Sequence, residues 1–226
     1  MFQMHTTDGG WLCLQRGDYG LWAWNRENVY ALIWSVRELP DKWSRRVLEF
    51  KTGNTKAFDG VYLMLQNKLP PLIGGLNLNM GEQPIYVVTA LSHDVEKVQP
   101  DRPLYRLAKM LCDHMEGLEF RPDLLSKKKH RPLHSITDNG KNRDAEVRNA
   151  NYECNRLEED SPIFLILDDF VTRGATFTAI RIAIESSNGN TCRILPVALG
   201  KYVTQGDIGP NNDNDERLGD IKQFWK

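Results

Sequence analysis

The chain has 226 residues, 41% hydrophobic and 26% charged, enough for one sizeable α/β domain with an appendage or for two small domains. That composition excludes a disordered tail or a fibre. Twenty-nine Lys and Arg stand against thirty Asp and Glu, a net charge of −1, so no global field draws the protein to nucleic acid or acidic membranes. Any anion site must be local.

The first ten residues, MFQMHTTDGG, lack the basic and apolar run of a signal peptide, and no stretch approaches the ~18 apolar residues that span a bilayer, so the expectation is a cytoplasmic protein with no membrane partner. Cys13, Cys112, Cys154 and Cys192 stand far apart, which offers no CxxC pair and predicts isolated, reduced core thiols. Trp11, Trp22, Trp24, Trp34 and Trp43 crowd the first 43 residues, among short apolar runs broken by Gly9, Gly10, Gly17 and Gly20. Residues 1–45 therefore read as a small β-rich or irregular subdomain packed around aromatics, surfaces that also stack on a base or a sugar.

From about Asp41 to Lys68, apolar residues at three-to-four spacing predict two helices split at Thr52-Gly53-Asn54. Leu69-Pro70-Pro71 to Met80-Gly81 reads as a linker. Pro84 to Leu91 is a buried parallel strand that opens the α/β core, and a helix follows from near Asp101 to Met115, with Pro103 in its first turn and one face made by Leu104, Leu107, Ala108, Leu111 and Met115. Gly117 to Tyr152 is polar and basic with little periodicity, a long, partly mobile excursion.

Next come Pro162 to Leu167 as a buried strand, Asp168 to Gly174 as a turn, and Ala175 to about Ser187 as a helix whose buried stripe is Phe177, Ile180, Ala183 and Ile184. Asn188-Gly189-Asn190 ends that helix, and Cys192 to Leu199 supplies another strand, completing a βαβ unit. Asp207 to Asp220, rich in Asn, Asp and Gly, reads as a surface loop. The whole is an α/β fold, a parallel sheet flanked by helices over residues 46–205, with the Trp-rich subdomain before it and a tail at 206–226.

The chemistry concentrates in one place. A buried strand that ends in Asp168-Asp169 and runs through Thr172-Arg173-Gly174-Ala175-Thr176 into a helix places backbone N–H groups and a helix N-terminus at the carboxyl edge of a parallel sheet, a cradle for a phosphate. Gly174 permits close backbone approach, and the hydroxyls of Thr172 and Thr176 add donors. The two carboxylates are acceptors that would repel a phosphate set directly on them; they suit sugar hydroxyls, directly or through a metal. Together these features describe a ribose 5-phosphate site.

Ile163 to Thr176, IFLILDDFVTRGAT, resembles the phosphoribosyl-diphosphate (PRPP) motif of type I phosphoribosyltransferases. The wider chain, about residues 45–205, is similar to the ComF-like branch of that family. Phe50-Lys51 stands before a helix as in that branch's Lys-containing segment, Val87 to Ser92 where its diphosphate-binding strand and loop lie, Arg102 where an arginine is usual, and Arg131 to Glu153 resembles its basic excursion.

The resemblance implies that Asp168 and Asp169 hold the ribose hydroxyls and carry catalysis. It implies that Thr172, Arg173, Gly174, Ala175 and Thr176 hold the 5-phosphate, and that Leu91, Ser92 and His93, with Arg131, face the diphosphate. Mg²⁺ is the implied cofactor, touched by Asp168 and Asp169 only indirectly. The implied reaction moves phosphoribose between PRPP and a nitrogen base, the base being recognised by a hood built from the Trp-rich N-terminus, with or without the C-terminal tail. Homodimers are common in that family.

The chain differs from the family at Arg173, where Thr is usual; at Val88 and Ala90, where the branch has prolines; at Pro103-Leu104-Tyr105-Arg106, in place of Gly, Asn and Gln; and in lacking zinc-binding N-terminal cysteines. These differences keep open a second class, a PRPP- or nucleotide-sensing regulator or phage-defence effector that acts through a protein or nucleic-acid partner. Arg173 reads as an exposed loop cation or a bidentate phosphate ligand. Lys127-Lys128-Lys129-His130-Arg131 reads as a solvated loop, a lid over the diphosphate or a nucleic-acid patch. Lys51 is structural or a diphosphate contact, His93 a loop residue or a site residue. Cys112, beside His114, lacks the partners of a thiol nucleophile and reads as core. No GxGxxG follows a strand, which sets aside a dinucleotide enzyme.

Overall fold

The computed structural model describes residues 15–16, 22–24, 29–36, 42–78, 81, 83–132 and 140–203. In chain order they form β1 (Gln15–Arg16), β2 (Trp22–Trp24), β3 (Val29–Val36), α1 (Lys42–Lys51), α2 (Thr55–Gly75), β4 (Ile85–Thr89), α3 (Pro103–His114), β5 (Leu118–Phe120), β6 (Leu125–Ser126), α4 (Gly140–Asn149), β7 (Glu153–Cys154), β8 (Ile163–Val171), α5 (Ala175–Asn188) and β9 (Arg193–Val203). The chain is α/β, with mostly parallel strands flanked by helices. It divides into two compact units, and both β8 and β9 pass from one into the other.

The first unit holds the described residues of Met1–Asn79, Asp168–Thr172 and Pro196–Lys226. Here β1, β2 and β3 pair antiparallel, and β3 runs parallel to β9, Tyr30 opposite Val197 and Val36 opposite Val203. The N-terminal region, read from sequence as a separate hood, thus contributes a strand alongside one from the far end of the chain. The side chains of its five tryptophans lie outside the described residues, as do the expected tail at 206–226 and the loop at 207–220.

Helices α1 and α2 separate where the sequence predicts. Gly53 takes φ 79°, which glycine adopts without steric cost, and the Asn54 side chain caps α2 by accepting from the Ala57 N–H at 3.0 Å. Phe50, almost wholly buried at the end of α1, stacks on Phe58 with centroids 5.9 Å apart.

The expected linker from Leu69 does not begin there, because α2 continues through Pro70 and Pro71 to Gly75. Leu69, Leu72 and Ile73 are fully buried while both prolines are exposed. The carbonyls that lose their donors, those of Gln66 and Asn67, lie on the half-exposed and exposed side, where water can replace the bond. Burial of the apolar stripe outweighs the local preference to stop.

In the second unit, Met80–Leu167 and Arg173–Leu195, β4 lies between β5 and β8, all parallel, Ile85 facing Leu118 on one side and Ile163 on the other. Every residue of β4 is buried, as expected of an apolar run covered on both faces. Pro103 opens α3, which buries Leu107, Ala108 and Leu111, and α5 buries Phe177, Ile180, Ala183 and Ile184 before ending at Gly189, φ 83°. Both helices match their predicted stripes, although Leu104 is only half-buried.

The stretch expected as an excursion, Gly117 to Tyr152, instead holds β5, β6 and α4, with 133–139 outside the described residues. Three residues are too few for β5 to show a period of its own; its backbone pairing with β4 defines it. The turn expected at Asp168 to Gly174 is also shorter, since β8 extends to Val171. No described helix is long and apolar enough to cross a membrane.

Gly200, in β9, leaves room for an aromatic ring. A Cβ there would come within 2.5 Å of Phe170 Cε1, and that ring cannot easily retreat because it stacks on Tyr202 at 4.3 Å. Gly200→Ala is therefore expected to destabilise the protein by roughly 1–3 kcal/mol in urea denaturation. The loss should shrink in a Phe170→Leu background; equal losses in both backgrounds would exclude the ring as the cause.

Candidate functional site

From Leu167 onward β8 changes character. Leu167 is fully buried, Asp168, Asp169 and Phe170 are half-buried, Val171 is buried again, and Thr172 and Arg173 are exposed. Gly174 then takes φ 79° and ψ 8°, a left-handed conformation that explains glycine at this point of the turn, and α5 starts at Ala175. The Gly174 carbonyl accepts from the Thr178 N–H at 2.9 Å and hydroxyl at 3.1 Å, closing the first helical turn. The first N–H groups of any α-helix have no acceptor within it, so Ala175 and Thr176 stand where an anion can be bound.

The acidic pair is asymmetric. Asp168 Oδ1 accepts from the Asp169 N–H at 2.7 Å. Asp169 uses both its oxygens, Oδ1 taking the Phe170 N–H at 2.6 Å and Oδ2 the Lys51 ammonium at 2.9 Å. Desolvation, and then the charge of Asp169, raises the pKa of Asp168 above the ordinary carboxylate value. Burial works against the Lys51 ammonium, yet Asp169, and more weakly Asp168, outweigh it and its pKa is raised.

Behind this pair stands a residue that the sequence reading did not single out. Lys201, buried in β9, donates to the carbonyls of Thr172 and Tyr202, the latter at 3.0 Å, and so holds the start of the phosphate-type turn. A lysine within the apolar run Pro196 to Val203 was the available signal, because an ammonium inside a buried strand must find acceptors.

In the second unit the loop after β4 starts beside β8, the Ala90 N–H donating to the Leu167 carbonyl at 2.9 Å. Leu91 is buried, and its N–H and carbonyl both bond the Tyr152 hydroxyl at 3.3 Å. The Ser92 side chain bonds Asp94, and Arg102 pairs with Asp94 at 2.8 Å; these bonds, Ser92's first, hold that carboxyl down at about 2.

The His93 carbonyl accepts from the His130 N–H at 3.0 Å and Lys127 Nζ at 3.4 Å, and the two imidazoles lie 6.3 Å apart. The loop 91–93 and the basic run are thus joined, but Arg131 is already engaged. Its backbone N–H and guanidinium both bond Glu146, at 2.8 and 3.1 Å.

The basic run divides. Lys128, Lys129 and Arg131 are exposed, whereas Lys127 is 4% exposed, bonds backbone carbonyls and has its pKa pulled down by burial to about 8. Thr89 Oγ1, at the end of β4, and Arg102 Nε are buried polar atoms with no hydrogen-bond partner among the described residues. Thr89 escaped the sequence reading, since a Thr in an apolar strand looks like any β-branched filler.

Among the described residues the thiols offer no nucleophile. Burial pushes Cys112 up to about 12 and Cys154 up to about 11, leaving both protonated at neutral pH. Among the described residues no three His, Cys, Asp or Glu side chains gather to hold a metal ion. No protein-family model matches the chain, and no curated protein matches it in sequence.

Because the folded state keeps a proton on Asp168 that the unfolded chain releases near pKa 3.8, stability is highest below that value and falls as pH rises toward the raised pKa. Asp168→Asn removes this dependence. Urea denaturation at pH 5, 7 and 9 should show a smaller loss of stability with rising pH in Asp168→Asn than in the wild type, and parallel curves would refute the raised pKa.

Proposed function

We propose that the protein binds PRPP with Mg²⁺ and transfers phosphoribose to or from a nitrogen base, in the manner of a type I phosphoribosyltransferase. The observation that carries this reading is the continuous stretch from the end of β8 into α5: two carboxyls, then the left-handed Gly174, then a helix N-terminus. Asp168 and Asp169 fix the ribose hydroxyls, and Thr172, Arg173, Gly174, Ala175 and Thr176 take the 5-phosphate. Arg173 is exposed and has no carboxylate partner among the described residues, which suits a phosphate ligand.

In the reaction a base nitrogen bonds to C1 of the ribose as the C1–O bond to diphosphate breaks, the electron pair leaving with the diphosphate. The chain's task is to hold the ribose phosphate still and to favour the charge that develops at C1. Mg²⁺ would be held mainly by the diphosphate, with Asp168 and Asp169 acting on it only indirectly, and would supply neutralisation of the leaving group's charge. Leu91, Ser92 and His93 form the loop facing the diphosphate.

A second reading, a PRPP- or nucleotide-sensing regulator without turnover, is favoured by one observation. Lys127, bonded to the His93 carbonyl in the loop after β4, and Arg131, paired with Glu146, both already have protein partners. Such a protein would act through a protein or nucleic-acid partner.

Calorimetric titration of PRPP with Mg²⁺ is expected to show binding to the wild type and none to a folded Asp168→Asn/Asp169→Asn variant, and unchanged affinity in that variant would sink the assignment. Diphosphate release with a panel of nucleobases marks the transferase. Binding with no release for any base marks the regulator.

A further inference from the structure

We infer that Lys51 is a positioning residue of the acidic pair: its ammonium neutralises and orients Asp169, leaves Asp168 as the carboxyl with an unengaged oxygen, and so admits an anionic sugar phosphate beside two adjacent acids. The ligand's identity rests on the phosphoribose reading, whereas the roles of the three side chains rest on their geometry.

Two neighbouring carboxylates are a poor place to bring a phosphorylated sugar. Each negative charge adds to the repulsion, and the half-buried setting weakens the screening that water would provide. The structure answers this with one cation. Lys51 is the last residue of α1, where the helix dipole favours positive charge, and the turn at Gly53 follows at once.

From there Nζ reaches Asp169 Oδ2 at 2.9 Å and stands 5.3 Å from the centroid of the Phe170 ring, a cation–π contact that fixes the ammonium from a second side. With Asp169 Oδ1 already held by the Phe170 N–H, the Asp169 carboxylate is fixed at both oxygens. Asp168 spends only Oδ1 on a backbone N–H, and its Oδ2 has no partner among the described residues. That oxygen is the one the pair can offer outward.

The charges facing the cluster agree with this division. On β9, Lys201 donates to the carbonyls of Thr172 and Tyr202. Lys51 sets a positive charge 2.9 Å from Asp169, so a ligand bearing several negative charges meets less repulsion than two uncompensated carboxyls would give. The Lys51 and Asp169 side chains are 41% and 31% exposed, so salt screens part of their field and makes the role measurable.

The test compares Lys51→Met and Lys51→Arg with the wild type, with a urea midpoint measured for each. Lys51→Met should weaken Mg²⁺–PRPP binding by about 10- to 100-fold at low salt, and the ratio to wild type should shrink as salt rises, because the exposed repulsion is screened. Lys51→Arg keeps the charge and should bind within about threefold of wild type. A ratio independent of salt, or undiminished binding in Lys51→Met, would overturn the inference.

A second measurement needs no ligand. The urea-denaturation losses of Lys51→Met and Asp169→Asn should sum to more than the loss of the double variant, because each single change leaves the other group's charge unpaired; strictly additive losses would refute the pairing. Wild-type protein that fails to bind PRPP while these losses are non-additive would reject the phosphoribose reading and support the Lys51 assignment.

Discussion

Two carboxyl groups on successive residues at the end of a buried strand cannot both stay ionised without compensation, and much of the first unit is arranged around that constraint. Asp169 is compensated by Lys51, so α1 must end within reach of β8. Phe170 then lies between the Lys51 ammonium and the Tyr202 ring, so β9 must carry glycine at position 200 to let the ring in. The next turn begins at Thr172, whose carbonyl is held by the buried Lys201. Each requirement follows from the one before it, and each is met by a residue remote in sequence from Asp168.

The second unit shows the same economy with backbone groups. The loop after β4 has no regular structure, so its polar atoms need individual partners. The Tyr152 hydroxyl serves both backbone groups of Leu91, Asp94 gathers Ser92 and Arg102, and the His93 carbonyl takes Lys127 and the His130 N–H. Lys127 is the costliest element, an amine removed from water and bonded to carbonyls instead of a carboxylate, which is why its pKa falls. Among the described residues, Thr89 Oγ1 and Arg102 Nε have no hydrogen-bond partner, a cost that the rest of the fold offsets.

The stretch from the end of β8 into α5 sets out the division of labour in the proposed chemistry: the carboxyl pair deals with hydroxyls and charge, and the turn at Gly174 and the start of α5 offer N–H donors. The internal engagement of Arg131 and Lys127 bears on turnover more than on binding, since neutralising a departing diphosphate demands cations that are free to reach it.

Much of this was legible from residues alone, and the reason is local. Runs such as Ile85 to Thr89 and Ile163 to Leu167 are apolar on both faces, α3 and α5 repeat their buried residues every three or four positions, and Gly53, Gly174 and Gly189 sit where the backbone turns left-handed. Such patterns identify an element without reference to any other. The adjacency of Asp168 and Asp169 to a Gly-containing turn is likewise written in consecutive residues.

What only the tertiary structure decided is every feature whose cause lies far along the chain. The persistence of α2 through two prolines depends on what Leu69, Leu72 and Ile73 bury, β5 exists because β4 is there to pair with it, and β3 finds its partner more than 160 residues away in β9. The inequality of the two aspartates, the tie from Lys201 to Thr172 and the burial of Lys127 belong to the same class. A local window holds the periodicity of an element, but the charge state of a carboxyl and the partner of a strand are set by which residues folding brings beside them.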